Sequence, residues 1–235
     1  MIEISLGAPS FCWLFREHGE LDIQLTMLPS IKIESRQPTT NSQPPTTVLI
    51  GVLALQGDFD AHGKRLEELG AEVVLVRKPE QLVAIDGLVI PGGESSTFLK
   101  LLGEAGVEKL KEFVRLRPTF GTCAGAILLA KEVDNPKQTG LGAIDIGIRR
   151  NAYGRQIDSS IREGSFQGSP VEMVFIRAPK ISRVGPGVEV LATEGEDPVV
   201  VRQGNVVAAT FHPELSSDRR IHEDFLKLVK NGSRR

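Results

Sequence analysis

A cysteine sits in the run Gly121-Thr122-Cys123-Ala124-Gly125, after a short apolar stretch and before a run of small and aliphatic residues. Glycines two residues to either side of a nucleophile mark a strand-to-helix elbow, with cysteine where many hydrolases carry serine. Only small neighbours let strand and helix cross closely enough to hold such a turn. The turn sets the sulfur outward at the start of the helix, where the helix dipole favours a thiolate. The competing reading is a small core residue, because cysteine is often buried. Its place at the glycine-framed turn favours the nucleophile.

A thiolate of this kind works with a base. The histidines are His18, His62, His212 and His222. His18 lies in an atypical N-terminal stretch, and His62 and His222 fall on expected helices. His212 stands in Phe211-His212-Pro213-Glu214, just after an expected strand. In extended chain, residues two apart project to one side, so His212 and Glu214 should meet. Pro213 stiffens the link. A carboxylate beside an imidazole fixes its tautomer and stabilises the imidazolium. Alone, the two would read as a loop histidine and a solvated carboxylate. With Cys123 they make a Cys–His–Glu triad.

Pro91-Gly92-Gly93-Glu94-Ser95-Ser96 follows another apolar run. Its glycine turn is suited to aim the Gly93 N–H, together with the Ala124 N–H, at a developing oxyanion. Ser95 suits the N-cap of the next helix. No Gly-Lys-Ser/Thr follows, which excludes a phosphate loop. The sequence offers no metal-ligand cluster by spacing, so metal chemistry is not expected.

These residues need a rigid frame. Val48 to Gly57 reads VLIGVLALQG, a strand buried on both faces. A helix should follow from an Asp58 cap to Leu69, with Gly70 as its stop. AEVVLVR and DGLVIPGG are the next strands, residues 95–117 a helix, PTFGTCAG a strand into the elbow, and AGAILLAKE a helix. Strand and helix alternate as in an α/β fold with a mainly parallel sheet. The second half changes: IDIGIRR, VEMVFIRAP and VEVLATE come without helices between them, and VVVRQGNVVAATFHPEL reads as a hairpin turning at Gln203–Asn205. Antiparallel strands should therefore extend the parallel sheet. A helix starting at Ser217 or Asp218 should run through Val229.

Composition sets the outer bounds. The 235 residues are 40% hydrophobic and 25% charged, with 28 basic against 30 acidic residues and a net charge of −2. That balance gives no footprint for nucleic acid or an anionic membrane. Cys12 and Cys123 are too far apart for a CxxC pattern, which points away from a disulfide scaffold and toward the reducing cytoplasm. No apolar stretch is long enough to span a bilayer, and the N-terminus lacks the pattern of a signal peptide. Ser35 to Thr47 has three prolines and no aliphatic or aromatic side chain. Residues 1–47 are therefore expected to be a poorly ordered extension and linker, and 48–235 the functional domain.

Taken in order, VLIGVLALQGDFDAH, PGGESST, FGTCAGAILLAKE, RRNAYGRQIDS, VFIRAP and FHPELSSDRRIHEDF resemble the class I (triad) glutamine amidotransferases. Within them the likeness is to glutaminase subunits of pyridoxal 5′-phosphate synthase complexes. It covers about residues 48–230. The resemblance implies a three-layer, flavodoxin-like α/β fold and hydrolysis of L-glutamine to L-glutamate and ammonia, without a cofactor. It also implies a synthase partner that accepts the ammonia. It assigns Cys123 as nucleophile, His212 and Glu214 as its relay, and Gly93, Glu94, Ser95, Arg150, Ile176 and Arg177 as glutamine contacts. Gln56 matches a position near the partner interface. Arg149 replaces the family's glutamate before Arg150, and Ser160 stands where an aromatic is frequent. Other readings are a glutaminase for a different synthase, a cysteine peptidase or dienelactone-type hydrolase, and a non-catalytic thiol sensor.

Overall fold

The computed structural model describes residues 47–152 and 159–232. The expectations for the N-terminal extension, and most of the GRQIDS block, fall outside these residues. The first half alternates as its patterning demands: β1 (Leu49–Leu53), α1 (Phe59–Glu68), β2 (Glu72–Val76), a 3-10 turn (Pro79–Ala84), β3 (Gly87–Ile90), α2 (Ser95–Leu116), β4 (Thr119–Thr122) and α3 (Ala124–Leu129). Then follow β5 (Ala130–Asp134), β6 (Ile144–Arg149), β7 (Ser159–Phe166), β8 (Ser169–Ile176), β9 (Lys180–Val184) and β10 (Glu189–Glu194). The chain closes with β11 (Asp197–Gln203), β12 (Val206–Ala209), a second 3-10 turn (Pro213–Leu215) and α4 (Arg220–Gly232).

Nine strands form one sheet in the order β2-β1-β3-β4-β12-β11-β10-β7-β8. The block β2-β1-β3-β4-β12 is parallel throughout. From β12 outward every pairing is antiparallel. The antiparallel extension expected from the second half thus adds four strands to the five of the parallel block. The β11–β12 hairpin turns at Gly204 and Asn205, where the sequence places it. A second sheet of β5, β6 and β9 is separate.

Side chains alternate across the main sheet and sort into two cores. Leu88 and Ile90 of β3 join one core with Phe98, Leu110 and Phe113 of α2, Leu128 of α3 and Ile146 of the small sheet. Val89, between them, joins the other core with Leu66 of α1 and Phe225 and Val229 of α4. Helices therefore cover both faces, which makes three layers. Burying one such aliphatic or aromatic side chain stabilises the fold by roughly 1.5–3 kcal/mol.

Several local expectations are corrected. AGAILLAKE is helical only to Leu129. Ala130 turns extended (φ −63°, ψ 148°) and begins β5, because pairing with β6 overrides the helix propensity of Ala, Lys and Glu. Asp58 occupies the N-cap of α1 but makes no side-chain capping bond. Glu94, not Ser95, caps α2, accepting the Thr97 N–H at 2.8 Å. Gly103 (φ 62°) breaks α2 into two helical pieces. The last helix begins at Arg220, two or three residues later than the expected start at Ser217 or Asp218, and runs to Gly232. The strands β7 and β9 carry no clear period in the sequence and emerge only in the structure.

Candidate active site

Gly93, Cys123 and His212 follow β3, β4 and β12, three strands that are adjacent and parallel in the sheet. Open α/β sheets bind their ligands at such carboxyl ends. The elbow is as tight as its glycines suggest. A Cβ on Gly121 would lie 2.6 Å from the Gly125 backbone, and one on Gly125 would lie 2.1 Å from the Ile90 carbonyl. Cys123 adopts φ 48°, ψ −102°, a sparsely populated conformation that costs on the order of 1–3 kcal/mol. Flanking hydrogen bonds hold it: Cys123 N–H to Ala209 O at 2.8 Å and Ile127 N–H to Cys123 O at 3.1 Å.

Cys123, His212, Gly93, Glu94 and Ser95 line one cavity of about 280 Å³. Arg150, Ile176 and Arg177 line the same cavity, entering from β6 and β8. Ala124 is buried directly behind the nucleophile in sequence. The Cys123 sulfur lies 4.0 Å from the Ile176 carbonyl. His212 packs against Gly92, where a Cβ would meet the imidazole Cε1 at 2.4 Å. A larger open groove of about 890 Å³ lies between α2 and the β11–β12 turn and contains none of these residues.

His212 Nδ1 is 2.7 Å from Glu214 Oε1, and both residues are buried. The contact is as expected, but its cause differs. The chain is not extended there: Pro213–Leu215 forms a 3-10 turn that folds Glu214 back beneath the ring. Burial opposes charge on His212. Its hydrogen bonds to Cys123 and Glu214 outweigh that opposition and raise its pKa to about 10. Burial also opposes the Glu214 carboxylate, yet neighbouring His62 and His212 hold its pKa below the usual value. The pair is thus set as imidazolium and carboxylate at neutral pH.

The glutamine-loop residues form their own network. Glu94 Oε1 pairs with Arg150 Nη2 at 2.7 Å, and Arg150 Nη1 donates to Gln138 Oε1 at 3.0 Å. Ser95 Oγ donates to the same Gln138 oxygen at 2.8 Å. Partial burial works against the Glu94 charge, but donors from Ser96 and Thr97 bring its pKa down to about 2. Gln56 is half-buried and does not line the cavity. Its amide donates to the Glu94 carbonyl and accepts the Glu94 N–H, so it clasps the glycine loop.

Three features lie beyond the sequence reading. His62 and His222 are fully buried, with His62 Nδ1 3.0 Å from His222 Nε2. His62 Nε2 is 3.0 Å from Thr122 Oγ1 and 3.2 Å from Glu214 Oε2. His62 shares the core-facing side of α1 with Leu66, one turn on, which is a readable signal. His222 offers none. Asp58 also comes close: its carboxylate, His212 and Glu214 offer ligand atoms within 4.8 Å of one another. Sequence spacing does not bring that trio together.

A thiol and an imidazole on one cavity, with a buried carboxylate hydrogen-bonded to the imidazole, suit amide hydrolysis through a thioester. Comparison with known proteins gives the lineage. The family model of the SNO glutamine amidotransferase family matches residues 52–231. The chain belongs to that family. A relative from Koribacter versatilis, named pyridoxal 5′-phosphate synthase subunit PdxT, is 69% identical over 186 residues, spanning 78% of this chain and 97% of the relative. The protein of the same name from Thermosipho africanus is 53% identical, over 77% of this chain and 98% of its own. A crystal structure of a glutamine amidotransferase aligns with TM-score 0.72 and 48% identity, over 77% of this chain and 98% of that one. The structure of PurLQS from Thermotoga maritima, 16% identical with TM-score 0.57 over 79% of this chain and 97% of its own, shares the fold. No helix among the described residues is long and apolar enough to cross a membrane.

Proposed function

We propose that this amidotransferase hydrolyses L-glutamine to L-glutamate and ammonia and delivers the ammonia to a synthase partner that makes pyridoxal 5′-phosphate. Cys123, His212 and Glu214 are its triad. The observation that carries this reading is the single cavity lined by Cys123 and His212, with His212 Nδ1 held 2.7 Å from the buried Glu214 Oε1. The names of the relatives supply the synthase partner.

The chemistry follows from the geometry. His212 rests as an imidazolium beside the sulfur, which attacks the side-chain amide carbon as the thiolate. The carbonyl electron pair moves to oxygen, where the N–H groups of Gly93 and Ala124 receive it. As the C–N bond breaks, His212 passes its proton to nitrogen and ammonia leaves. The thioester remains on Cys123. Neutral His212 then takes a proton from water, and the hydroxide adds to the thioester carbonyl. Collapse expels the thiolate and frees glutamate, with His212 protonated again.

Glu94, Ser95, Arg150, Ile176 and Arg177 are the glutamine contacts, with an arginine fork on the α-carboxylate. Gln56 is the residue that faces the synthase, a reading supported by its hydrogen bonds to the Glu94 backbone beside Gly93. Residues 48–235 are the catalytic domain, 1–47 an extension to it, and the compartment is the cytoplasm. The test is covalent capture. An electrophilic glutamine analogue should add its mass to Cys123 in the complex, and excess glutamine should protect. Labelling that is indifferent to glutamine would overturn the proposal.

A further inference from the structure

Glu214 has two carboxylate oxygens, and the triad uses one. Oε1 takes the His212 Nδ1–H. Oε2 is buried and has no hydrogen-bond partner. A buried carboxylate oxygen left in that state is costly, so each such atom needs an account. The donor at hand is His62 Nε2, 3.2 Å away, with both side chains fully shielded from water.

The protons can be placed by elimination. A proton on His62 Nε2 faces the Thr122 hydroxyl oxygen at 3.0 Å and the Glu214 carboxylate at 3.2 Å, both able to accept. His62 Nδ1 is then a bare acceptor. Its partner at 3.0 Å is His222 Nε2, which must donate. That leaves His222 Nδ1 unprotonated, and it is the ring nitrogen without a partner. Each assignment forces the next, and the chain ends on a bare lone pair instead of a stranded N–H. Burial, acting first, lowers the pKa of both rings, consistent with two neutral imidazoles. Phe120 fixes the pair from the side, its ring edge-on to His62 at 6.2 Å and to His222 at 5.7 Å between centroids.

His62 also reaches Thr122 Oγ1 at 3.0 Å, and Thr122 immediately precedes the nucleophile. One N–H thus sits between the turn that carries Cys123 and the free oxygen of Glu214. We infer that His62, backed by His222, is a positioning residue of this enzyme: hydrogen-bonded to Thr122 Oγ1 at the Cys123 elbow, it sets its Nε2 edge 3.2 Å from Glu214 Oε2 and holds the carboxylate in line with His212. His62 touches neither glutamine nor the reacting atoms. It acts by keeping the carboxylate from rotating away from His212 Nδ1 as the imidazole gains and loses its proton. This inference rests on the triad proposed above.

The test is a pair of variants in the full chain assembled with the synthase partner. Glutamine retains an amide N–H near the position of Nε2, and methionine fills similar space without a donor. His62→Met should lower kcat about 10- to 100-fold, the cost that losing an orienting partner carries for metal-ligating histidines. KM for glutamine should stay unchanged. His62→Gln should regain most of that loss. The downfield proton resonance of His212 Nδ1–H should shift in the methionine variant and return toward its place in the glutamine variant. Equal kcat in both variants and wild type, or equal loss in both, would overturn the inference. If His62→Met does not fold, the glutamine variant still decides: a resonance and kcat close to wild type uphold it, and collapse of both refutes it. Glu214→Gln, run in parallel, separates the two layers. Full activity in Glu214→Gln sinks the triad itself, whereas an inactive Glu214→Gln beside an active His62→Met sinks only the positioning role.

Discussion

The parallel and antiparallel halves of the molecule contribute different things to one cavity. The parallel block supplies the groups proposed to react: Gly93, Cys123 and His212 leave neighbouring strands at the same end. The antiparallel extension and the small sheet supply Arg150, Ile176 and Arg177, which face the same space from β6 and β8. The first set is held by backbone: tight glycine contacts, a strained turn and buried hydrogen bonds. The second is held by side chains, such as the Arg150 contacts with Glu94 and Gln138. On the proposal above, the reacting groups come from the parallel half, while the substrate contacts come from both, Glu94 and Ser95 from the loop after β3 and Arg150, Ile176 and Arg177 from the other half.

Substitutions should divide along this line. The largest effect belongs to Glu214→Gln, which keeps shape but removes the charge facing His212. It should lower kcat by about 10⁴-fold, as loss of the carboxylate does in a related triad. Steady-state kinetics of the complex, with KM for glutamine unchanged, would bear this out. Gly93→Ala comes next. Its φ of 138° disfavours any side chain, and a Cβ would press on the Gln56 amide at 3.2 Å. Displacing one oxyanion donor should cost about 100- to 1,000-fold in kcat.

Arg150→Ala tests the other half. Losing a charge-assisted contact worth about 1.5–3 kcal/mol should raise KM roughly 10- to 100-fold while kcat changes little. A collapse of kcat at constant KM would break the division between halves. The smallest effect is on stability. His212 has a folded pKa near 10 against an ordinary 6.5, so its contribution is fully present below 6.5 and is lost as pH rises through about 10. Glu214 is shifted downward, so its contribution holds above its ordinary value and fades in acid. Thermal unfolding between pH 7 and pH 10.5 should therefore show a larger drop for the wild-type chain than for His212→Gln.

The same contrast explains how much is legible in the sequence. The elbow, the glycine loop and the Phe211–Glu214 stretch are local: a few adjacent residues set their shape, so sequence spacing reveals them. The β11–β12 hairpin is local too, with Gly204 at φ 57° marking its turn. The strand β5 reads as helix because Ala130, Lys131 and Glu132 favour helix until β6 pairs with them. The strand β7 is stabilised by β8 and β10, partners reached only in the folded sheet. The His62–His222 contact joins residues 160 apart on two helices, and no local pattern foretells it. Sequence spacing pairs His212 with Glu214 correctly but for the wrong geometric reason, since a 3-10 turn and not a strand brings them together.

Ammonia release from L-glutamine, by the wild-type chain and by Cys123→Ala, each assembled with a pyridoxal 5′-phosphate synthase partner, tests the central claim most directly. The account predicts rapid release by the wild-type complex and, with the nucleophile gone, a loss of several orders of magnitude in turnover. Release that survives the loss of Cys123, or none from the wild-type complex, would contradict it.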